Sequence, residues 1–183
     1  MRTRHRGLVA GLLILNFCCG AMAQTPAARY APEFEPLAYL AGSCWQGPLS
    51  EFVRNRSGSG AGELLHCAEW ILNGHALRDT LWVEGANPPV RGETTYYFDL
   101  ETQTLRYIFW SVDGPHSVGT VKVDGDTLIF DDERLVGRRG IIHFRTTFTR
   151  TGPDTYVQDR QRQGSDGVWT NLPPTTYIRR PGK

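Results

Sequence analysis

Residues 66–82 bring together most of the side-chain types that could do chemistry. The stretch reads HCAEWILNGHALRDTLW and contains two histidines, a cysteine, a glutamate, an aspartate and an arginine. Histidine, cysteine and carboxylates are typical zinc ligands, and a histidine beside a carboxylate is a usual pair for general acid–base catalysis. Which chemistry is available depends on the face of the backbone that carries each side chain.

The dipeptide Asn73-Gly74 within this stretch predicts a β-hairpin, because both residues tolerate the positive φ of a type I′ turn. With this turn, Leu72 lies opposite His75. Side chains alternate between faces along a strand, so His66 and Asp79 share one face as diagonal neighbours, roughly 7–8 Å apart at the backbone. This face is the more apolar one, and we expect it to line the interior of the domain.

The opposite face of the hairpin carries Glu69 and Arg78, directly across from each other. We interpret them as a structural ion pair worth up to about 1 kcal/mol. His66 and Glu69 cannot share a metal from opposite faces, and no three ligands converge, so we expect no metal site. The buried pair of His66 and Asp79 has two interpretations: an internal polar pair that specifies packing, or a base that orients or activates a ligand.

Two cysteines support the same arrangement of faces. The midpoint between Cys44 and Cys67 falls between Asn55 and Arg56, within the polar loop 53–62, so the two cysteines can lie opposite each other on neighbouring strands. An exported chain favours a disulfide for such a pair, and the C-x-x-C spacing of a redox-active pair is missing. The bridge is then expected on the outer face, which turns Trp45 inward beside His66.

The N-terminal residues 1–23 are expected to be a signal peptide. They combine a basic start, a short apolar run and the small residues of a cleavage site before Gln24; the alternative is an N-terminal helix that stays in the mature protein. Cleavage would remove three of 20 basic residues and none of the 19 acidic ones. Without a basic stripe or a second long apolar run, we expect neither nucleic-acid binding nor stable membrane insertion. We expect a periplasmic or secreted protein.

The rest of the chain has an almost purely β pattern. Residues 24–36 form a flexible leader in this interpretation, one helical turn follows at 35–41, and 37–183 form a single domain. The acidic run 131–133 is interpreted as a solvated turn. Short runs of β-branched and aromatic residues between Gly, Asn and Asp turns predict ten strands, namely 43–52, 63–72, 75–83, 92–99, 104–111, 116–123, 126–131, 139–150, 154–162 and 168–179. An all-β, up-and-down antiparallel barrel hides every strand edge, and a two-sheet sandwich is the alternative.

Several motifs resemble those of known barrel proteins. The stretch LAYLAGSCWQG at 37–47 is similar to the opening of lipocalin-like (calycin) barrels, in which a Gly and a Trp begin the first strand. The segments EWILNGHALRD, YYFDLETQTLRYIFWSVDG, VKVDGDTLIFDDE and TYIRRPG resemble the DUF1579 group, which is similar to nitrobindin-type barrels. The resemblance implies a ten-stranded barrel with a small-molecule cavity. Its haem-binding members use a histidine near the C-terminus, whereas the last histidine here is His143, so we expect no haem and no other cofactor.

Three functions remain open on this sequence. We favour a non-catalytic exported barrel that binds a small, largely apolar molecule, since aromatic-lined cavities with a few polar groups are the usual form of such sites. The proposed binding residues are Trp45, His66, Trp70 and Asp79. The alternatives are a small barrel enzyme, an isomerase, cyclase or hydrolase using His66 and Asp79, and a module that docks another envelope protein. The sequence names neither the ligand nor the oligomeric state.

Overall fold

The computed structural model describes residues 30–49, 62–83, 91–112, 114–138 and 140–180. The predicted signal peptide and almost all of the polar loop 53–62 lie outside these residues. The strands are β1 (Ser43–Pro48), β2 (Glu63–Ile71), β3 (Ala76–Val83), β4 (Arg91–Asp99), β5 (Thr104–Ser111), β6 (His116–Asp124), β7 (Thr127–Gly137), β8 (Gly140–Gly152), β9 (Thr155–Gln163), β10 (Trp169–Asn171) and β11 (Thr175–Arg180). Two short 3₁₀ helices, Pro32–Leu37 and Leu72–Gly74, complete the described secondary structure.

The strands form one antiparallel sheet that closes on itself. Each strand from β1 to β9 pairs with the next, and β11 bridges β9 and β1. β10 pairs with the same edge of β9 beyond β11, so β10 and β11 act as one interrupted tenth strand. The predicted ten-stranded antiparallel barrel is therefore confirmed, and the sandwich alternative is wrong.

Alternation along the strands fills the barrel with aromatic and aliphatic side chains. On β5, Leu105 and Tyr107 face inward and are buried, whereas Trp110 on the outer face is 44% exposed. Across from Tyr107 on β6 stands Gly119, where a Cβ atom would come within 2.6 Å of the tyrosine ring. The glycine is needed because the ring occupies the space that a side chain would fill.

The 3₁₀ helix Pro32–Leu37, called the capping helix below, closes one end of the barrel. Its Phe34 and Leu37 are buried together with Leu40, and Tyr30 stacks on Trp70 with ring centroids 4.7 Å apart. The described part of the predicted leader, residues 30–36, therefore packs against the barrel. The predicted helical turn at 35–41 begins three residues earlier than expected, at the proline that favours the first position of a helix.

The hairpin between β2 and β3 has the predicted register, and Asn73 and Gly74 adopt the positive φ of the predicted turn, 55° and 84°. Ala68 lies opposite Asp79, and the last paired residues are Ile71 and Ala76. The connection is a loop of four residues in which Leu72 and Asn73 adopt φ of 51° and 55°. The His75 N–H donates to the Leu72 carbonyl oxygen at 3.2 Å, so these two residues face each other across the turn as predicted. The strand pairing itself ends one residue earlier, at Ile71 and Ala76, because Leu72 is already left-handed.

The acidic run 131–133 lies within β7 and is not a turn, so that prediction is wrong. Phe130 pairs with Thr146 and Glu133 with Phe144, which leaves one extra residue on β7 and defines a β-bulge. The bulge shifts the alternation of side chains by one position. As a result, both Phe130 and Glu133 face the barrel interior.

The predicted disulfide between Cys44 and Cys67 is confirmed. The two residues are directly opposed on β1 and β2. Their neighbours Trp45 and His66 are also paired and are both buried inside the barrel, so the bridge lies on the outer face. It fastens the first two strands of the barrel to each other.

Candidate functional site

The hairpin β2–β3 places His66 and Asp79 inside the barrel, where each is 5% exposed. The His66 Nδ1 atom lies 3.0 Å from the Asp79 carboxylate. Because a carboxylate can only accept, Nδ1 carries a hydrogen and donates it to Asp79. In a neutral imidazole, the other nitrogen, Nε2, is then free to accept a hydrogen bond.

A third member of this chain, Tyr156, was not singled out by the sequence. Its hydroxyl oxygen lies 2.5 Å from His66 Nε2 and comes from β9, which β11 and β1 separate from β2 in the sheet. Burial raises the pKa of the Tyr156 phenol well above its ordinary value. The phenol therefore stays protonated and donates to His66, which gives the ordered chain Tyr156 to His66 to Asp79.

Trp45 lies behind Tyr156, with ring centroids 5.0 Å apart in an edge-to-face arrangement. It is fully buried, and its Nε1 donates to the Leu40 carbonyl oxygen at 3.2 Å. The guanidinium of Arg179 lies 4.6 Å from the ring centroid, as in a cation–π contact. The structure thus brings Trp45 to the same place as His66 and Asp79.

Trp70, the fourth residue predicted for the site, lies apart from the other three. It faces inward at the closed end of the barrel, where it contacts Tyr30 and Phe34. It belongs to the packing between the capping helix and the strands. The four predicted binding residues therefore divide into one cluster of three and one residue at the floor of the barrel.

Further tyrosines surround the cluster. Tyr177 stacks on Tyr156 with centroids 4.9 Å apart, and burial raises the pKa of Tyr177 to about 12. Tyr39 stands edge-on to both Trp45 and Tyr156. Its hydroxyl group is buried and has no hydrogen-bond partner among the described residues. The buried phenols of this site therefore differ in their hydrogen bonding: Tyr156 bonds to His66, whereas Tyr39 has no partner among the described residues.

A second polar group faces the interior farther along the barrel. Thr146 is buried on β8 and donates to Glu133 at 2.9 Å, and Arg160 Nε donates to Thr146 at 3.1 Å. The Arg160 and Glu133 side chains approach to 3.6 Å and are 26% and 12% exposed. Glu133 was expected in a solvated turn, because the alternating pattern does not encode the bulge that turns it inward.

The outer face carries the remaining charged residues of the opening stretch. Arg78 Nε donates to Glu69 at 3.1 Å, so the predicted cross-strand pair is confirmed. On β8, Arg145 is exposed and lies 4.1 Å from the Trp169 ring centroid. Among the described residues, no three His, Cys, Asp or Glu side chains group closely enough to hold a metal ion.

Comparison with known proteins supports the fold. The crystal structure of Rv2717c from M. tuberculosis superposes with a TM-score of 0.51 at 13% sequence identity, covering 83% of this chain and 99% of that chain. At this identity the likeness concerns the barrel fold alone. No protein-family model matches the sequence, and no curated protein matches it. In the described part of the chain, no helix has the length and hydropathy needed to span a membrane.

Proposed function

We propose that this protein is a non-catalytic barrel that binds a small, largely apolar molecule in its interior. The observation that supports this most is the pair of Arg160 and Glu133. Charged side chains rarely face the inside of a barrel that serves only packing, and these two keep 26% and 12% of their side-chain surface accessible. Solvent therefore reaches the interior at their level, and a ligand can follow the same route.

The composition of the interior suggests what this ligand looks like. A belt of three rings lines the interior. The ring centroid of Phe130 lies 5.3 Å from that of Tyr107 and 4.8 Å from that of Phe148. Such a belt suits an apolar body, while Arg160 and Glu133 suit one polar end. A mostly apolar wall with a few polar groups that fix orientation is the common form of small-molecule sites.

The residues predicted from the sequence have distinct parts in this proposal. His66 and Asp79 hold Tyr156 in the wall that the ligand contacts. Trp45 packs against the same tyrosine, so a ligand that displaces Tyr156 changes the surroundings of Trp45. Trp70 forms the floor. We propose that binding requires no cofactor.

Binding can be tested with 1-anilinonaphthalene-8-sulfonate, a fluorophore with an apolar body and one anionic end. We expect saturable binding with a change in tryptophan fluorescence. The R160M variant should bind at least about tenfold more weakly, the equivalent of 1.4 kcal/mol. The R134M variant, altered at an exposed position on the outer face of β7, should bind as the wild type does. Equal binding by R160M and R134M would place the probe outside the barrel.

A second candidate function is an enzyme that uses His66 and Asp79, and Tyr156 favours it. A carboxylate that orients a histidine, which in turn contacts a hydroxyl group, is the arrangement used for general acid–base and nucleophilic catalysis. A panel of ester, lactone and enol substrates tests the idea. Turnover that disappears in H66Q while the circular dichroism spectrum is kept would support it, and turnover that survives would remove His66 from the mechanism.

We also propose that residues 1–23 export the protein and that the chain is a divergent member of the lipocalin-like barrels. The small residues before Gln24 and the barrel fold support these two ideas. Intact-mass measurement of protein expressed in a bacterial host tests the first. We expect the periplasmic fraction to contain a chain whose mass corresponds to a start at Gln24. A full-length protein in the cytosol would contradict export.

A further inference from the structure

We propose that Tyr156 is a redox-active residue. A one-electron oxidant that attacks the aromatic cluster of Tyr39, Trp45 and Tyr156 removes one electron, and the resulting radical settles on Tyr156. In this step the phenolic O–H bond of Tyr156 breaks, and its proton forms an N–H bond at His66 Nε2. The oxidant, an oxidising radical or a high-potential metal complex, gains the electron, and a donor of one electron reverses both changes.

The first support is the proton acceptor. Losing an electron makes a phenol strongly acidic, so a tyrosine is oxidised most easily where a base takes its proton in the same step. His66 Nε2 lies 2.5 Å from the Tyr156 hydroxyl oxygen. The Asp79 carboxylate, 3.0 Å from Nδ1, stabilises the imidazolium that this transfer creates.

Tyr39 provides the contrast within the same cluster. Its hydroxyl group is buried and has no hydrogen-bond partner among the described residues. Oxidised Tyr39 would have to keep its proton and carry a positive charge in a poorly solvated place, which is costly. The radical is therefore less stable on Tyr39 than on Tyr156, although Tyr39 lies nearer to the surface.

The second support is a short path inward. Tyr39 is only half-buried and lines a surface pocket of about 230 Å³ beside the capping helix. Ring centroids are 6.0 Å apart between Tyr39 and Trp45, and 5.0 Å apart between Trp45 and Tyr156. Rings this close exchange electrons readily, so an oxidant at the surface need not enter the barrel.

The third support comes from two arginines. The Arg150 guanidinium lies 5.7 Å from the Tyr39 ring centroid, and that of Arg179 lies 4.6 Å from the Trp45 ring centroid. A ring that loses an electron becomes positive and is then repelled by the neighbouring cation. Among the described cation–π contacts none involves Tyr156, so its oxidation carries no such penalty. The electrostatics drive the radical from Tyr39 and Trp45 towards Tyr156.

The test uses the full chain and a photo-oxidised ruthenium tris-bipyridyl complex as the oxidant. We expect a neutral tyrosyl radical in the optical and electron paramagnetic resonance spectra. The Y156F variant should lose most of this signal. The Y97F variant, altered on the outer face of β4, should keep it. A signal that is unchanged in Y156F, or lost in Y97F, would overturn the proposal.

The role of His66 needs a separate measurement. Radical formation should slow by roughly 10²-fold in H66Q, the contribution typical of a positioned base. If H66Q does not fold, the wild-type protein in deuterated water gives the answer. Formation of the radical should be slower there than in ordinary water. A rate without a solvent isotope effect would show that no proton moves with the electron and would overturn the assignment to the Tyr156–His66 pair.

Discussion

The hydroxyl oxygen of Tyr156 lies 2.5 Å from Nε2 of His66, although 90 residues separate them in the chain. The two residues stand on β9 and β2, which are not neighbours in the sheet, since β11 and β1 lie between them. The hydrogen bond therefore crosses the barrel interior. It holds strands together that no backbone ladder connects.

Removing one end of this bond should be costly. The Y156F variant leaves His66 Nε2 buried without its donor, and we expect a loss of about 1–3 kcal/mol in the free energy of unfolding. The H66F variant has a comparable cost. Urea denaturation of both single variants and the double variant should give a coupling energy of about 0.5–3 kcal/mol; additive effects would mean that the two groups do not interact in solution.

The disulfide should contribute measurably to stability. The cysteines lie 23 residues apart, and closing a loop of this size lowers the entropy of the unfolded chain enough to stabilise the fold by about 3 kcal/mol. The double variant C44A/C67A should lose that amount of free energy of unfolding and therefore unfold at a lower denaturant concentration. Adding dithiothreitol should reproduce the loss in the wild type and leave the double variant unchanged. A reductant effect on the double variant would point to a cause other than the bridge.

Gly119 should tolerate no side chain. In G119A the new methyl group would lie 2.6 Å from the Tyr107 ring, and moving that buried ring should cost about 1–3 kcal/mol. The matched control is G137A on β7, where the nearest atom outside the adjoining residues lies 3.7 Å from the added Cβ, an ordinary contact distance. Thermal unfolding of both variants tests this, and equal midpoints would show that the ring has room to move.

Alkaline pH should destabilise the fold through its buried phenols. Burial raises the pKa of Tyr177 to about 12, whereas the unfolded chain ionises near 10. Between pH 10 and 12, Tyr177 keeps its phenolic proton in the folded state and loses it in the unfolded state. The free energy of unfolding therefore falls as pH rises from 10 to 12. The Y177F variant should lose up to about 1.4 kcal/mol per pH unit of this slope. Denaturation at pH 8, 10 and 11 measures it, with Y97F as the control.

The local part of this fold was accessible from the sequence. The Asn73-Gly74 pair specified the register of β2 against β3, and with it the inward direction of His66 and Asp79. The position of Cys67 opposite Cys44 followed separately, from the polar loop between them. The turn has the predicted positive φ at Asn73 and Gly74, and the predicted residues pair on either side of it, although the strand pairing ends at Ile71 and Ala76. Signals that act between chain neighbours were enough for these features.

The missing parts depend on distant contacts. Tyr156 has the β-rich surroundings of any strand tyrosine, and only barrel closure brings it to His66. Glu133 faces inward because of the bulge after Phe130, whereas the acidic composition of the run 131–133 had suggested a solvated turn. Phe34 likewise has no burial signal of its own, because the surface that buries it is assembled from strands far along the chain.

The pairing of β1 with β11 has a consequence for how the molecule is made. Cys44 lies opposite Arg180, so the final described strand completes the wall that the first strand begins. During synthesis the growing chain can stack hairpins but cannot join the two ends of its sheet. The cylinder is sealed only after the ribosome has released residues 175–180, and a product truncated before 175 would leave the edges of β1 and β9 exposed to self-association.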